Sequence, residues 1–112
     1  MIERFVVSRD DSIYEAFPDV ALTPTGNLVC VFAECTHHAD RGYTRVMVTS
    51  SADRGRTWSL KVPLTEATSG TVFYNCPRIT CLRDGRLVVV VDKIHTAARS
   101  KDPETCHILL YV

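Results

Sequence analysis

The sequence predicts an all-β fold of antiparallel meanders, and three observations carry that expectation. The 112 residues include 14 valines, 12 threonines and 5 isoleucines, side chains that suit a pleated, half-buried surface. No window long enough for a helix shows an apolar stripe at the 3.6-residue period. The chain also repeats itself. Phe17-Pro18-Asp19-Val20 through Gly26-Asn27-Leu28-Val29 aligns without a gap on Cys76-Pro77-Arg78-Ile79 through Gly85-Arg86-Leu87-Val88, at an offset of 59 residues. A fixed period of this kind marks repeated supersecondary units.

The elements follow in order. Ile2–Val7 is expected as an N-terminal strand within residues 1–13. Asp19–Leu22 and Asn27–Ala33 are the next two strands, joined by Thr23-Pro24-Thr25-Gly26. Proline presets such a turn and glycine accepts its positive φ. Thr44–Thr49 and Thr57–Val62 complete a first unit over residues 14–63. Ile79–Leu82 and Arg86–Asp92 flank Arg83-Asp84-Gly85, whose Asp-Gly pair is the stronger hairpin signal. Cys106–Val112 ends an incomplete second unit over residues 64–112. Length alone predicts one small domain; the repeat changes that to one four-stranded unit plus most of a second.

Composition narrows the function classes. With 46% hydrophobic residues the chain can form a core. Thirteen basic side chains against thirteen acidic ones give no net charge, so nucleic acid and anionic membrane surfaces are not expected partners. The longest apolar run, Leu28 to Ala33, is far short of the roughly 20 residues that span a bilayer. The start lacks the basic region and long apolar stretch of a secretion signal, so the expected location is cytoplasmic. Cys30, Cys35, Cys76, Cys81 and Cys106 are odd in number and at no recognised ligand spacing. They are expected as reduced, mostly buried thiols.

One motif is specific. Ser51-Ala52-Asp53-Arg54-Gly55-Arg56-Thr57-Trp58 fits Ser-x-Asp-x-Gly-x-Thr-Trp. Five fixed positions should arise by chance in fewer than about one in ten thousand chains of this length. The physics suits a tight hairpin. Asp53 can accept from turn N–H groups, Gly55 can take a positive φ, and Trp58 can bury a large ring between neighbouring sheets. The motif is expected to be a fold staple rather than a binding site.

This motif resembles the Asp-box, or bacterial neuraminidase (BNR) repeat, and the chain from about Tyr14 onward is similar to the sialidase (neuraminidase) superfamily. The Pro-x-x-x-Leu strand, the Pro24-Thr25-Gly26-Asn27-Leu28 turn and Val31-Phe32-Ala33-Glu34 add to the likeness. The resemblance implies a six-bladed β-propeller, of which this chain covers about two four-stranded antiparallel blades. Residues 1–13 would then supply a ring-closing strand. The remaining blades would come from the rest of a longer chain or from other copies.

The resemblance also implies where chemistry sits. Alternating strand directions place the glycine turns and the Asp-box at one end, and residues 14–19, 35–42, 61–78 and 93–105 at the other. Sialidases resemble one another in clamping a substrate carboxylate with arginines, geometry that suits a guanidinium. They share a loop Asp as acid/base and a Tyr nucleophile polarised by Glu. Asp40 matches the loop Asp as the catalytic residue. The position of the first arginine is Ala16, its second-repeat equivalent is Asn75, and Glu34 is followed by Cys35 and Thr36. The Tyr and Glu would lie beyond Val112.

Candidate substrate contacts are Asp19, His37, His38, Tyr74, Asn75, Arg78 and His95. Asp19 and Arg78 occupy equivalent repeat positions and are expected to pair with each other. Tyr74 is either a sugar-stacking ring or a packing residue. Cys35-Thr36-His37-His38-Ala39-Asp40 is rich in potential ligands, but adjacent histidines on an extended strand point apart, so no metal is expected, and no other cofactor. The expected function is a sialidase-like glycoside hydrolase acting on a carbohydrate or glycoconjugate. The alternatives are a non-catalytic propeller that binds glycans or proteins, and a two-blade chain that assembles into a ring.

Overall fold

The computed structural model of the chain describes residues 1–38, 42–70, 72–95 and 106–111. They form two antiparallel sheets. The first contains β1 (Tyr14–Leu22), β2 (Leu28–Cys35), β3 (Tyr43–Ser51), β4 (Val62–Pro63) and β5 (Thr68–Ser69), in the order β1-β2-β3-β4, with β5 pairing β3 at its other end. The second contains β6 (Val72–Cys81), β7 (Leu87–His95) and β8 (Cys106–Tyr111), in that order.

The repeat is visible in the backbone. Phe17 and Cys76, 59 residues apart, both have positive φ, 56° and 47°. Each sits in a bulge, the first between Ala16 and Asp19 and the second between Asn75 and Arg78. Gly26 and Gly85 have φ of 87° and 86°, which only glycine adopts without strain. Their turns close alike. Thr23 N–H bonds the Asn27 carbonyl at 2.8 Å, and Leu82 N–H bonds the Arg86 carbonyl at 2.7 Å.

Period-two alternation splits the first sheet into two sides. Ala21, Val29, Val31 and Val48 face the second sheet and pack with its Ile79, Leu87 and Val89. Two side-chain-to-backbone bonds flank this seam. The Asp19 carboxylate accepts from Ile79 N–H at 2.9 Å, and the buried Thr44 hydroxyl accepts from Tyr74 N–H at 2.9 Å. The other side of the first sheet carries Cys30, Phe32 and Met47, with Val7 and Trp58 packed on them.

Several expectations change. Asp19 and Arg78 form no ion pair: Asp19 is taken by Ile79 N–H beside the bulge, and Arg78 Nη1 reaches the Pro77 carbonyl at 3.5 Å. Ile2–Val7 is not a strand. Among the described residues it pairs with neither sheet, and its Val7 packs on the outer side of the first. Thr57–Val62 enters the ladder only at Val62, because Thr57 and Trp58 close the preceding hairpin. Trp58 packs on the outer side of the first sheet, away from the second. The strands β1 and β6 also begin earlier than expected, because each bulge lets pairing continue past its proline.

Asp19→Ala removes a charge-assisted bond and leaves Ile79 N–H unpaired in the seam. The expected cost is about 1–3 kcal/mol, read as a lower urea midpoint with an unchanged slope. An unchanged midpoint would show that Asp19 does not join the sheets.

Candidate functional site

The Ser51–Trp58 hairpin is closed on itself. Ser51 Oγ donates to Asp53 Oδ1 at 2.7 Å and accepts from Gly55 N–H at 2.8 Å. Asp53 Oδ1 accepts from Thr57 N–H at 2.9 Å, and Oδ2 accepts from the Thr57 hydroxyl at 2.5 Å. Trp58 Nε1–H bonds the Gly55 carbonyl at 2.9 Å. Gly55 is buried with φ of 86°, and a Cβ there would stand 3.5 Å from Leu28 Cδ1. Every motif side chain is thus engaged inside the turn, which supports a structural role. The Thr57 hydroxyl and N–H, then Ser51, lower the Asp53 pKa to about 2.

The opposite end of the first sheet holds more varied chemistry. The start of β1, the end of β2 and the start of β3 converge there. Tyr14 lies opposite Cys35, on the seam side, and Glu15 lies opposite Glu34, on the outer side. Two carboxylates directly across a ladder repel each other. Lys61 offsets this repulsion. Its ammonium sits 2.9 Å from Glu15, 3.0 Å from Glu34 and 3.3 Å from Asp10. Burial pulls the Lys61 pKa down, but the bonds to Glu15, Glu34 and Asp10 outweigh it and leave the pKa above the ordinary lysine value. Ser8 Oγ donates to Glu15 at 2.7 Å, and the Tyr43 hydroxyl donates to Glu34 at 2.6 Å. Burial and that carboxylate raise the Tyr43 pKa. Arg45 stands over the Tyr43 ring at 5.7 Å. Its Nε is 3.9 Å from Glu34, too long for a hydrogen bond, and has no hydrogen-bond partner among the described residues.

On the seam side, Tyr14 meets the two histidines. Its hydroxyl is 3.2 Å from His38 Nδ1, and the two rings stand edge to face with centroids 5.6 Å apart. The His37 ring is 6.3 Å from Tyr14, tilted at 39°. The Cys35 thiol points to the His37 carbonyl at 3.6 Å.

The expected site residues are therefore divided. His37 and His38 are brought together beside the ring of Tyr14. Tyr74 and Asn75 stand opposite Lys93 and Asp92 at the same end of the second sheet, and His95 closes that ladder opposite Val72. Asp19 belongs to the seam, and Arg78 is exposed beside the bulge. Asp40 lies outside the described residues. Among the described residues no three His, Cys, Asp or Glu side chains converge as metal ligands, and no helix is long and apolar enough to cross a membrane. A cavity of about 280 Å³ under Val6 and Val7 is mainly apolar, and its carboxylate, Glu15, is already held by Lys61.

Sequence reasoning missed Tyr14 and the Lys61 cluster. Glu34 ends the apolar run Leu28–Ala33 and Glu15 interrupts Ile13–Phe17, which is a weak sign. Their pairing requires the β1–β2 register, and Lys61 reaches them from a segment 27 residues beyond Glu34.

The chain has a counterpart of the same architecture among solved structures, a sialidase, so its fold is sialidase-like. That protein is the Hadza microbial sialidase Hz136, similar at 25% identity and a TM-score of 0.63 over 87% of this chain. The chain spans 24% of that protein's length. No family model and no curated protein matches the chain.

Two predictions follow from the charges. The folded Asp53 pKa of about 2 lies below the ordinary Asp value of about 3.9. The fold therefore favours the ionised form. This contribution is present above the ordinary value and disappears as pH falls through about 2. Carboxyl NMR should place the Asp53 midpoint near 2, and Thr57→Val should raise it. A midpoint in the ordinary range would contradict the closed hairpin. Lys61→Met leaves Glu15 and Glu34 facing each other without the ammonium between them, at a cost of about 1–3 kcal/mol. Adding Glu34→Gln should recover part of it. Strictly additive losses in the double-mutant cycle would show that Lys61 and Glu34 do not interact.

Proposed function

We propose that this chain is the Asp-box-bearing part of a six-bladed β-propeller glycoside hydrolase related to sialidases. The observation that carries this reading is the closed Ser51–Trp58 hairpin on a sheet of sialidase-like fold. The paired bulges at Phe17 and Cys76 support it, since equivalent strained positions interrupt the first strand of both sheets. Each sheet is then a blade. Ile79 and Leu87 pack in the seam, while Val20, the repeat equivalent of Ile79, is 52% exposed on the outer side of the first sheet. That side suits a further blade, supplied by the rest of a longer chain or by another copy.

In the proposed mechanism Asp40 protonates the leaving glycosidic oxygen, and the nucleophile comes from outside this chain. The strand ends around Tyr14, Glu34 and Tyr43 form a preorganised floor for that reaction. Hydrogen bonds and ion pairs lock their rotamers, as a reacting site requires.

A second reading, a non-catalytic propeller binding glycans or protein partners, is favoured by one observation. Ala16 and Asn75 stand where the resemblance implies arginines.

Full-length protein assayed on a panel of fluorogenic glycosides separates the two. The hydrolase reading expects turnover, and Asp40→Asn should slow it by about 100-fold or more. Absence of turnover on every sugar would leave the binding propeller. Equal rates in wild type and variant would remove Asp40 from the mechanism.

A further inference from the structure

We propose that the ring cluster of Tyr14, His37 and His38 binds an uncharged pyranose, and that this end of the sheet disfavours a sugar carrying a carboxylate. The proposal rests on the reading of this end as a carbohydrate site and names the substrate class.

Three observations support it. First, the cluster is built for a ring with apolar C–H faces. A pyranose presents such a face, and an aromatic ring offers it a flat, rigid contact with few rotors to order. The Tyr14–His38 contact at 3.2 Å and the edge-to-face packing at 5.6 Å hold the rings in one arrangement before a ligand arrives. The histidines are exposed, so the platform is accessible.

Second, the two cations of the ionic cluster on the outer side are engaged. Lys61 is bonded by Glu15, Glu34 and Asp10, and Arg45 is drawn to Glu34. Three carboxylates face two cations, so this described cluster carries a surplus of one negative charge. Glu15 directly follows Tyr14 in the chain but faces the outer side of the same strand end, so the surplus acts on the platform across the sheet. Removing Lys61 from its partners to meet a ligand carboxylate would expose Glu15 and Glu34 to each other.

Third, the positions at the head of the bulges in β1 and β6 are neutral. Ala16 and Asn75 precede the two positive-φ residues, Phe17 and Cys76, by one residue each. Neither can clamp an anion as a guanidinium does. Asn75 can donate to a sugar hydroxyl and accept from one.

Saturation-transfer NMR at low ionic strength tests the proposal, with the methyl glycosides of galactose, glucose and mannose against the methyl α-glycoside of N-acetylneuraminic acid. At least one neutral glycoside should receive saturation, strongest at the C–H protons of one ring face. The sialoside should bind about tenfold more weakly than that sugar. Tyr14→Ala should weaken the neutral sugar about tenfold. Circular dichroism checks that the variant folds, and His38→Ala, which alters an exposed ring, is the second arm with the same expected loss.

Equal or tighter binding of the sialoside would overturn the proposal. So would unchanged neutral binding in both variants, or no binding of any neutral sugar. Turnover assays separate this from the hydrolase reading. Neutral binding without turnover of any glycoside would sink the hydrolase and keep the platform. Turnover confined to sialosides would do the reverse.

Discussion

Val31, Val48 and Val89 are almost wholly excluded from water in the seam between the two sheets. Each fully buried valine contributes about 1.5–3 kcal/mol relative to exposure. The seam forms because alternate residues of β1, β2 and β3 are small and apolar on one side. Burying them brings β1 alongside β6, which lets Asp19 reach Ile79 N–H and Thr44 reach Tyr74 N–H. Those bonds are directional where the apolar contact is not, so together they set position as well as proximity. The arrangement of the strand ends around Tyr14, Glu34 and Tyr43 depends on this alignment.

The outer side of the first sheet uses a different balance. Its middle is apolar, with Cys30, Phe32 and Met47 under Val7 and Trp58. Burial, then the charge of Asp19, raises the Cys30 thiol to about 11, which keeps it protonated and unreactive. At the far end the side becomes ionic. A facing pair of glutamates would be unstable alone, and Lys61 makes it a brace linking the N-terminal segment, β1 and β2, with Tyr43 extending it to β3. Ionic groups at the strand ends and apolar ones in the middle are consistent with polar chemistry confined to one end of the sheets.

The two ends of the first sheet differ in how their polar groups are used. In the Ser51–Trp58 hairpin each hydroxyl, carboxylate and indole N–H bonds within the turn. At the other end, rings and carboxylates stand on three strands and are oriented by neighbours. A self-contained turn stabilises its own strands. A convergence of strand ends can meet a ligand. The proposed carbohydrate role belongs to the second, and the hairpin belongs to the fold.

Local chemistry made much of this legible from sequence. Gly26 and Gly85 marked turns because glycine accepts positive φ, and the spacing of Ser51, Asp53, Gly55, Thr57 and Trp58 marked a hairpin whose bonds span only a few residues. The β-prone composition, the short strand-like runs and the 59-residue offset revealed the strands and their repetition. What depended on distance along the chain was not legible. Asp19 was expected to meet Arg78 because their repeat positions match, yet it meets Ile79 N–H because the bulge and the seam place that group nearer. Trp58 had its burial foreseen but not the side of the sheet, which only sheet packing decides. The meeting of Tyr14 with the histidines and of Lys61 with Glu15 and Glu34 was not legible, since a cross-strand pair and a lysine reaching over it exist only in a given register. The sequence by itself determined the turns, the hairpin and the meander, because those interactions are local. Tertiary structure alone decided the seam bonds, the ionic brace and the ring cluster, because each joins groups that only strand pairing and sheet packing bring together.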